Sequence, residues 1–289
     1  MKNSEINIRD PFVLAENGRY YLFGTRGPTC WGAADGFDVY VGDDLENWSG
    51  PHACFQNDGS FWATHNYWAP EVHRWRGAYY MFASFKREGV CRGTAILRAE
   101  SPMGPYQPWS DGPVTPAGWE CLDGTFHVDR NGRPHIVFCH EWVQVGDGEM
   151  CSMPLADDLR TSIGAPRLLF HASDAPWSRP IGFQGDPARG FVTDGPFLWR
   201  TADGTLLLLW ASMADGGAYA QGIAVSSTDD IDGNFRQLPP LFTQDGGHGM
   251  VFRTFDQRLL LTLHSPNSPL QERPRFFPVK EEVGTLVRI

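Results

Sequence analysis

The chain of 289 residues lacks the features of several large classes of protein. No apolar run approaches the ~20 residues of a membrane-spanning helix, and the first ten residues contain no apolar core of a secretion signal. No basic cluster offsets the formal net charge of −10. The sequence therefore predicts binding neither to nucleic acid nor to membranes.

Cysteine patterns typical of metal sites are also missing. The six cysteines form no Cys-x-x-Cys pair and show no zinc-like spacing. A chain of this length needs no disulfide framework, so we interpret the thiols as small buried apolar groups in a reducing compartment. The expected location is cytoplasmic, or periplasmic or secreted if a signal peptide has been removed; one or two disulfides remain an alternative in an exported protein.

Motifs of several enzyme classes are absent too. The chain contains no Gly-x-Ser-x-Gly elbow, no phosphate-binding Gly-x-x-x-x-Gly-Lys-Ser/Thr loop and no His-Glu-x-x-His zinc motif. No Gly-x-Gly-x-x-Gly segment follows a strand-like run. The sequence therefore predicts no organic cofactor.

What the sequence contains is a fivefold repeat of two strands joined by a tight turn. The copies begin at Asp10, Ala69, Asp123, Asp194 and His248, and their turns are Asn17-Gly18, Arg76-Gly77, Asn131-Gly132, Asp203-Gly204 and Asp256-Gln257. Asn-Gly and Asp-Gly favour type I′ hairpin turns. The copies recur at roughly 60-residue intervals, which suits a four-stranded blade with its connections.

The repeat predicts an all-β fold, a five-bladed β-propeller whose four-stranded antiparallel blades surround a central channel. Five blades account for residues 1–289, which we therefore expect to form a single domain. A propeller cannot be divided between blades without exposing sheet edges and the shared core. A two-sheet sandwich is the alternative, although it gives no reason for a fivefold recurrence.

Three aspartates begin predicted innermost strands: Asp10, Asp123 and Asp194. Because the starts of these strands gather at one rim of the channel, we expect the three carboxylates to lie close together. Like-charge repulsion then raises the pKa of at least one of them. One carboxyl can thus serve as an acid and another as a base, as in glycoside hydrolysis. A turn or cap role remains the alternative for each aspartate taken alone.

The segments around these residues resemble glycoside hydrolase family 43, whose members are five-bladed propellers that act mainly on arabinose- and xylose-containing polysaccharides. The resemblance rests on Arg9-Asp10-Pro11-Phe12, Tyr67-Trp68-Ala69-Pro70-Glu71-Val72, Leu122-Asp123, Asp194-Gly195-Pro196-Phe197 and Gly247-His248-Gly249. It covers nearly the whole chain and implies an inverting glycosidase. By this resemblance Asp10 is the general base, Asp123 tunes the pKa of the acid and orients it, and Asp194 is the general acid.

The chain departs from the family pattern at the acid, where the family usually has a glutamate and this sequence has Asp194. The missing methylene retracts the carboxyl by roughly 1.5 Å, whereas proton donation needs heavy atoms within about 3 Å. Three interpretations follow. In the first, Asp194 is the acid, and the pocket is rearranged to suit the shorter side chain. In the second, another carboxylate such as Glu141, Glu149 or Asp186 has the role. In the third, the protein is a weak or inactive sugar-binding propeller.

The remaining candidates concern the sugar and an ion. Trp68 is the best stacking candidate, because sugar rings pack their C–H faces on aromatic rings; Arg273 is a candidate donor to a hydroxyl, with a plain surface role as the alternative. Further aromatic residues in long connections that could wall the site are Trp31, Phe61, Trp62 and Trp142.

The resemblance implies that His248 faces an ion in the central channel, often calcium, held largely through water. A hydrogen-bonded channel histidine without a metal is the alternative. The expected partner is a carbohydrate, with terminal α-L-arabinofuranosides as first and β-D-xylosides as second substrate. Oligomeric state is left open.

Overall fold

The computed structural model describes residues 1–289, and most of them lie in β-strands. The strands form five four-stranded sheets, each made of four strands that are consecutive in sequence and antiparallel to their neighbours. The first strand of each sheet lies innermost, and the other three follow outward in order. The fold is a five-bladed β-propeller, so the predicted fold class is confirmed.

The first blade contains β1 (Ile8–Glu16), β2 (Arg19–Arg26), β3 (Gly36–Gly42) and β4 (Ser49–Gln56). The second contains β5 (His65–Trp75), β6 (Ala78–Arg87), β7 (Val90–Ala99) and β8 (Gln107–Pro108). The third contains β9 (Cys121–Val128), β10 (Pro134–His140), β11 (Glu149–Pro154) and β12 (Arg167–His171). The fourth contains β13 (Asp194–Arg200), β14 (Leu206–Met213), β15 (Tyr219–Ser226) and β16 (Phe235–Gln237). The fifth contains β17 (Gly247–Arg253), β18 (Leu259–Ser265), β19 (Arg273–Glu282) and β20 (Thr285–Arg288).

Helical structure is limited to short turns. One α-helical turn, α1, covers Trp142–Val145, and 3-10 turns cover Asn3–Glu5, Gly27–Thr29, Ala172–Asp174 and Asp215–Gly217. None of these helices has the length or apolar character needed to span a bilayer.

The predicted hairpin turns occur in all five blades, but they are of two kinds. In the first two blades, Asn17-Gly18 and Arg76-Gly77 have positive φ at both residues, as a type I′ turn requires. In the other three blades, the strands are joined by longer loops at residues 129–133, 201–205 and 254–258. There a side chain such as Asp129, whose Oδ1 accepts the Asn131 and Arg133 N–H groups, organises the loop.

Apolar side chains fill the spaces between blades. Between the first and second blades, Phe37, Tyr67 and Phe85 form a cluster of aromatic rings with centroids 4.8 to 5.8 Å apart. Phe61 and Trp62 pack against the same cluster, and neither lines the substrate cavity described below. These two aromatic residues therefore belong to the core rather than to the wall of a sugar site.

Side-chain contacts, rather than a shared strand, close the ring between the first and fifth blades. Arg9 Nη1 lies 2.9 Å from Glu272 Oε1, and both side chains are largely buried. The Asn7 amide donates to the Glu272 carbonyl oxygen at 3.0 Å. Removing one partner of a buried ion pair leaves the other charge uncompensated, so we expect the Arg9–Glu272 pair to be needed for closure.

Each innermost strand is interrupted by a β-bulge at the same height in the ring. One residue of each bulge has a positive φ, and these residues are Asp10, Ala69, Asp123, Gly195 and His248. Bulges redirect side chains and are frequent beside active sites. Their common height brings the five redirected segments to one rim of the channel.

Candidate active site

A cavity of about 330 Å³ lies at the rim formed by the bulges. Its lining includes Asp10, Asp123, Asp194, His248, Trp68, Arg9, Trp31, Glu141, Trp142 and Tyr219. The structure thus brings together the three predicted carboxylates, the predicted stacking residue and the predicted channel histidine. Among the residues predicted to bind substrate or an ion or to catalyse the reaction directly, Arg273 is not part of the lining, and neither are the secondary candidates Phe61, Trp62, Glu149 and Asp186.

The three aspartates do not all occupy equivalent positions. Asp10 and Asp123 are the positive-φ residues of their bulges, whereas Gly195 has that place in the fourth blade and Asp194 precedes it. The repeat aligned Asp194 with Asp10 and Asp123, and this alignment is wrong by one residue, because Gly195 has the equivalent place in the fourth blade. The reason is packing, because a Cβ atom on Gly195 would come within 2.6 Å of the His248 ring.

A hydrogen bond crosses each of the five blade boundaries at this rim. The Ala69 N–H donates to Thr25 Oγ1, the Asp123 N–H to Ser84 Oγ, and the Gly195 N–H to Asp123 Oδ2. The Gly249 N–H donates to Gln221 Oε1, and the Asp10 N–H donates to His264 Nδ1. In every case the acceptor lies on the preceding blade of the ring. The bulges that carry the site are therefore held relative to one another by specific bonds between blades.

Asp10 is buried, and two neighbouring side chains hold its carboxylate. Thr25 Oγ1 donates to Oδ2 at 2.6 Å, and His248 Nδ1 lies 3.2 Å from Oδ1. Burial by itself raises the pKa of this carboxyl, but the nearby His248 and Arg9 outweigh burial and lower the pKa below its usual range. Asp10 is therefore ionised at neutral pH and can accept a proton.

His264 fixes the main chain of Asp10. Its Nδ1 accepts the Asp10 N–H at 3.1 Å, so the ring proton lies on Nε2, 3.3 Å from Asn267 Oδ1. Burial and the charge of Arg9 lower the pKa of His264 to about 3, which keeps the imidazole neutral. Sequence reasoning missed this residue, because it belongs to none of the repeated motifs and acts through a contact with another blade.

Unlike Asp10, Asp123 and Asp194 have pKa values raised above the usual range of a carboxyl. Burial, and then the charge of Asp10, raise the pKa of Asp123 well above its usual range. Burial and the charge of Asp123 raise the pKa of Asp194 to about 7. Three close carboxylates do not all ionise in one buried site. The Asp123–Asp194 pair therefore holds a proton at neutral pH, whereas Asp10 does not.

His248 directs its Nδ1 toward carboxylates rather than toward a set of metal ligands. The nitrogen lies 3.2 Å from Asp10 Oδ1 and 3.5 Å from Asp123 Oδ2. No group of three or more His, Cys, Asp or Glu side chains is arranged to hold a metal ion, and calcium requires six to eight oxygen ligands. These side chains do not fit a directly coordinated ion, so calcium stays a prediction for an ion held through water.

Trp68 lines the cavity, but one face of its ring is covered. The Arg92 guanidinium lies 4.0 Å from the ring centroid. Trp31 meets the edge of Trp68 with ring centroids 5.4 Å apart, and 61% of Trp31 is exposed. The Arg9 guanidinium lies 5.3 Å from the Trp31 ring centroid, but Trp31, one of the wall residues considered from the sequence, is the more exposed tryptophan and therefore offers more free aromatic surface to a sugar than Trp68 does.

The family model for glycosyl hydrolases family 43 matches residues 4–283. The chain belongs to this family. It is a glycoside hydrolase with a carbohydrate substrate, and the resemblance noted from its motifs is confirmed.

Individual relatives of this family 43 hydrolase include enzymes named for arabinan cleavage. The extracellular exo-α-(1→5)-L-arabinofuranosidase ArbA of Cellvibrio japonicus is 22% identical over an alignment of 266 residues, which covers 86% of this chain and 72% of that enzyme. The crystal structure of an endo-arabinase from Bacteroides thetaiotaomicron has a TM-score of 0.91 and 39% identity, covering 99% of this chain and 98% of the other. An endo-1,4-β-xylanase structure from the same organism, at 21% identity and a TM-score of 0.79 over 100% of this chain and 96% of the other, shares the fold.

Arg273 lies away from the cavity of the hydrolase. Its guanidinium donates to the carbonyl oxygens of Ser4, Leu270 and Glu272 at 2.7 to 3.2 Å. The bond to Ser4 ties the start of β19 to the N-terminal segment, where the ring closes, and the other two bonds are local. The assignment of Arg273 to substrate is thus corrected, and the arginine that reaches the cavity is Arg9.

Of the alternative acids in the hydrolase, only Glu141 lines the cavity. Burial raises the pKa of Glu141, although its ion pair with Arg92 opposes this. Glu149 contacts His140 Nδ1 at 2.7 Å, and Asp186 is exposed in a loop where it accepts the Ala188 N–H. Glu141 is therefore the one alternative acid that could compete with Asp194 for this role in the cavity.

Proposed function

We propose that this hydrolase removes terminal α-L-arabinofuranosyl residues from plant-type polysaccharides or oligosaccharides, with β-D-xylosides as the second candidate. The observation that carries the proposed chemistry is the pairing, in one cavity, of an ionised Asp10 with Asp194, whose pKa is raised to about 7. The choice of arabinose rests on the relatives, an exo-arabinofuranosidase and an endo-arabinase.

The proposed reaction is a single displacement with inversion. Asp10 takes a proton from a water molecule as the water oxygen attacks the anomeric carbon. Asp194 gives its proton to the glycosidic oxygen as the bond between that oxygen and the anomeric carbon breaks. Exchange with solvent then returns Asp10 to its ionised form and Asp194 to its protonated form.

Asp123 supports this division of roles through its charge and its position. When the proton that the pair shares lies on Asp194, Asp123 is ionised, and its negative charge raises the pKa of Asp194, which keeps the acid protonated until the transfer. Its Oδ2 accepts the Gly195 N–H at 3.0 Å, so the carboxyl also holds the main chain next to the acid. Asp194 is preferred over Glu141 as the acid because the ion pair with Arg92 favours the ionised form of Glu141.

Hydrolysis of nitrophenyl glycosides tests the proposal. The substrates are the α-L-arabinofuranoside, the β-D-xyloside and the β-D-galactoside, compared in the wild type, Asp10→Asn and Asp194→Asn. We expect turnover of the arabinofuranoside, its loss in Asp10→Asn, and a milder loss in Asp194→Asn because nitrophenol leaves with little protonation. NMR detection of the first anomer released measures inversion.

Two outcomes would contradict the proposal. Turnover of another sugar alone would reassign the substrate while keeping the mechanism. Folded protein that binds arabinose-containing oligosaccharides in calorimetry, yet turns over none of the three substrates, would favour the sugar-binding alternative, in which the shortened Asp194 is not a competent acid.

Trp31 is proposed as the main stacking surface for the sugar chain, because its ring is the more exposed of the two tryptophans at the cavity. Trp31→Ala should raise KM by about tenfold with little change in kcat, the pattern of lost uniform binding. Trp31→Phe keeps an aromatic face and is the matched control. An unchanged KM in Trp31→Ala would return the role to Trp68.

Calcium near His248 is kept as a proposal, for an ion held in the channel through water. Its support is the family resemblance of the Gly247-His248-Gly249 segment. Bound calcium stabilises the folded state by mass action, so adding calcium to chelator-treated protein should raise Tm. A Tm that does not respond to calcium would contradict the proposal.

The cytoplasmic location also stays a prediction. All six cysteines are free in the structure, which is compatible with a reducing compartment. Cell fractionation measures the location directly, and activity recovered only outside the cytoplasm would contradict the prediction.

A further inference from the structure

Tyr219, the first residue of β15, contacts the candidate acid and has no role in the reaction as described so far. The residue is buried, and its hydroxyl donates to Asp194 Oδ2 at 2.9 Å. We propose that Tyr219 is the positioning residue of the general acid, holding the shortened Asp194 in one orientation with Oδ1 as its proton-bearing oxygen. This inference rests on the proposed function, in which Asp194 protonates the leaving group.

The tyrosine ring itself is held firmly. It stacks on the His264 ring, with centroids 5.5 Å apart and planes inclined by 22°. Its backbone N–H donates to Asp245 Oδ1 at 3.3 Å. A Cβ atom on Gly247 would come within 2.7 Å of the tyrosine ring, so this glycine makes room for it. The hydroxyl is therefore presented to Asp194 from a fixed direction.

A fixed donor matters more for an aspartate than for a glutamate at this position. The carboxyl of Asp194 is retracted by roughly one C–C bond, about 1.5 Å, so it can approach the leaving oxygen from only a narrow set of rotamers. A misplacement of about 1 Å at a reacting group can cost about 100-fold in rate. The bond from Tyr219 restricts the carboxyl to the rotamer seen in the structure.

The same bond determines where the proton lies. Because Oδ2 accepts the Tyr219 hydroxyl, the proton of neutral Asp194 lies on Oδ1. Burial and the charge of Asp123 raise the pKa of Asp194, and the nearby His248 and the Tyr219 bond limit the rise. Tyr219 thus places the proton on the oxygen that remains free to donate to substrate.

The stack also connects the acid with the base. His264, against which Tyr219 packs, accepts the N–H of Asp10 at 3.1 Å. Removing the whole tyrosine ring would therefore disturb both ends of the reaction. Tyr219→Phe keeps the ring and removes only the hydroxyl, so it isolates the bond to Asp194.

Tyr219→Phe, measured over pH with two arabinofuranosides, tests the inference. With a poor alkyl leaving group, kcat should fall about 10- to 100-fold, and with nitrophenol it should fall much less, because only the poor leaving group needs the acid. The alkaline limb of the kcat/KM profile should move to higher pH, since the lost bond favoured ionised Asp194.

Tyr106→Phe is the matched control. Tyr106 is equally buried, but its hydroxyl bonds to the Pro102 carbonyl and it does not line the cavity. This variant should keep the pH profile and the leaving-group dependence of the wild type. A Tyr219→Phe enzyme that loses Tm but keeps both of those properties would overturn the inference, because that is the behaviour of a purely structural residue.

Carboxyl NMR of aspartate-labelled protein gives a readout that needs no turnover. A higher pKa of Asp194 in Tyr219→Phe than in the wild type supports the inference, and an unchanged pKa overturns it. A wild type that hydrolyses none of the glycosides would contradict the proposed function. The NMR comparison would still decide whether Tyr219 controls the carboxyl.

Discussion

Asp10 and Asp194 line the same cavity, yet their surroundings give them opposite protonation states. Asp10 accepts a bond from Thr25 and lies next to His248 and Arg9, which together lower its pKa despite burial. Burial and the charge of Asp123 raise the pKa of Asp194 to about 7, and the one hydroxyl bond that its carboxyl accepts only limits this rise. One residue type can thus serve as base and as acid because the neighbouring groups differ.

The two residues also differ in how they are held. Asp10 is itself a bulge residue with positive φ, and its N–H is bound by the preceding blade. Asp194 precedes the bulge, and a side-chain bond fixes its carboxyl. The Asp10 carboxylate also has a side-chain partner at each oxygen, Thr25 and His248, whereas the Asp194 carboxyl depends on Tyr219 and is therefore the more easily disturbed.

Asp10→Asn should have the largest effect, because it removes the base. We expect kcat to fall by about 10³- to 10⁴-fold, toward the upper part of the range for general acid–base catalysis, with any leaving group. Initial rates on the nitrophenyl arabinofuranoside measure it. Asp203→Asn, at an exposed hairpin turn of the fourth blade, is the control and should keep full activity. A loss of less than tenfold in Asp10→Asn would remove Asp10 from the role of base.

Asp194→Glu tests whether the shortened acid is an adaptation or a defect. The added methylene extends the carboxyl by roughly 1.5 Å and displaces it from the Tyr219 hydroxyl. If the pocket is shaped to bring the shorter aspartate carboxyl to the leaving oxygen, kcat on a substrate with a poor leaving group should fall about tenfold or more. A gain in kcat would mean instead that the pocket still suits glutamate, and that Asp194 limits the wild type.

Thr25→Val should bring the pKa of Asp10 closer to that of Asp194, because it removes the hydroxyl that donates to Asp10 Oδ2. The lost bond raises the pKa of Asp10. Because the base works only when ionised, activity at low pH should fall, and the acidic limb of the kcat/KM profile should move to higher pH. Thr25→Ser keeps the hydroxyl and should keep the profile. Identical acidic limbs in the two variants would show that Thr25 does not tune the base.

Much of the fold could be predicted from the sequence, because each blade repeats a local signal. Asn17-Gly18 and the alternating strands beside it specify a hairpin through contacts close in sequence. The offset of Asp194 could not be found in this way. It depends on which residue takes the positive φ, and the His248 ring on the next blade decides this.

The residues of the candidate site likewise fall into two groups, those that the sequence revealed and those that it did not. Asp10, Asp123 and Asp194 stand out in sequence because each begins a copy of the repeat, whereas Tyr219 and His264 belong to no repeated motif. Their roles come from contacts between blades, which no local pattern encodes. Arg273 shows the reverse case, since a charged residue near a blade suggested substrate binding but bonds to the main chain.

Arg273→Ala should have the smallest effect on activity, and it should leave the different protonation states of Asp10 and Asp194 unchanged. The variant removes bonds to three carbonyl oxygens at the closure of the ring, and a net contribution of about 1 kcal/mol per bond is typical. We therefore expect a lower Tm with KM, kcat and both limbs of the pH profile unchanged. Thermal unfolding and kinetics on the same preparation measure this. A raised KM at unchanged Tm would instead give Arg273 a part in substrate binding and would require the fifth blade to move toward the cavity.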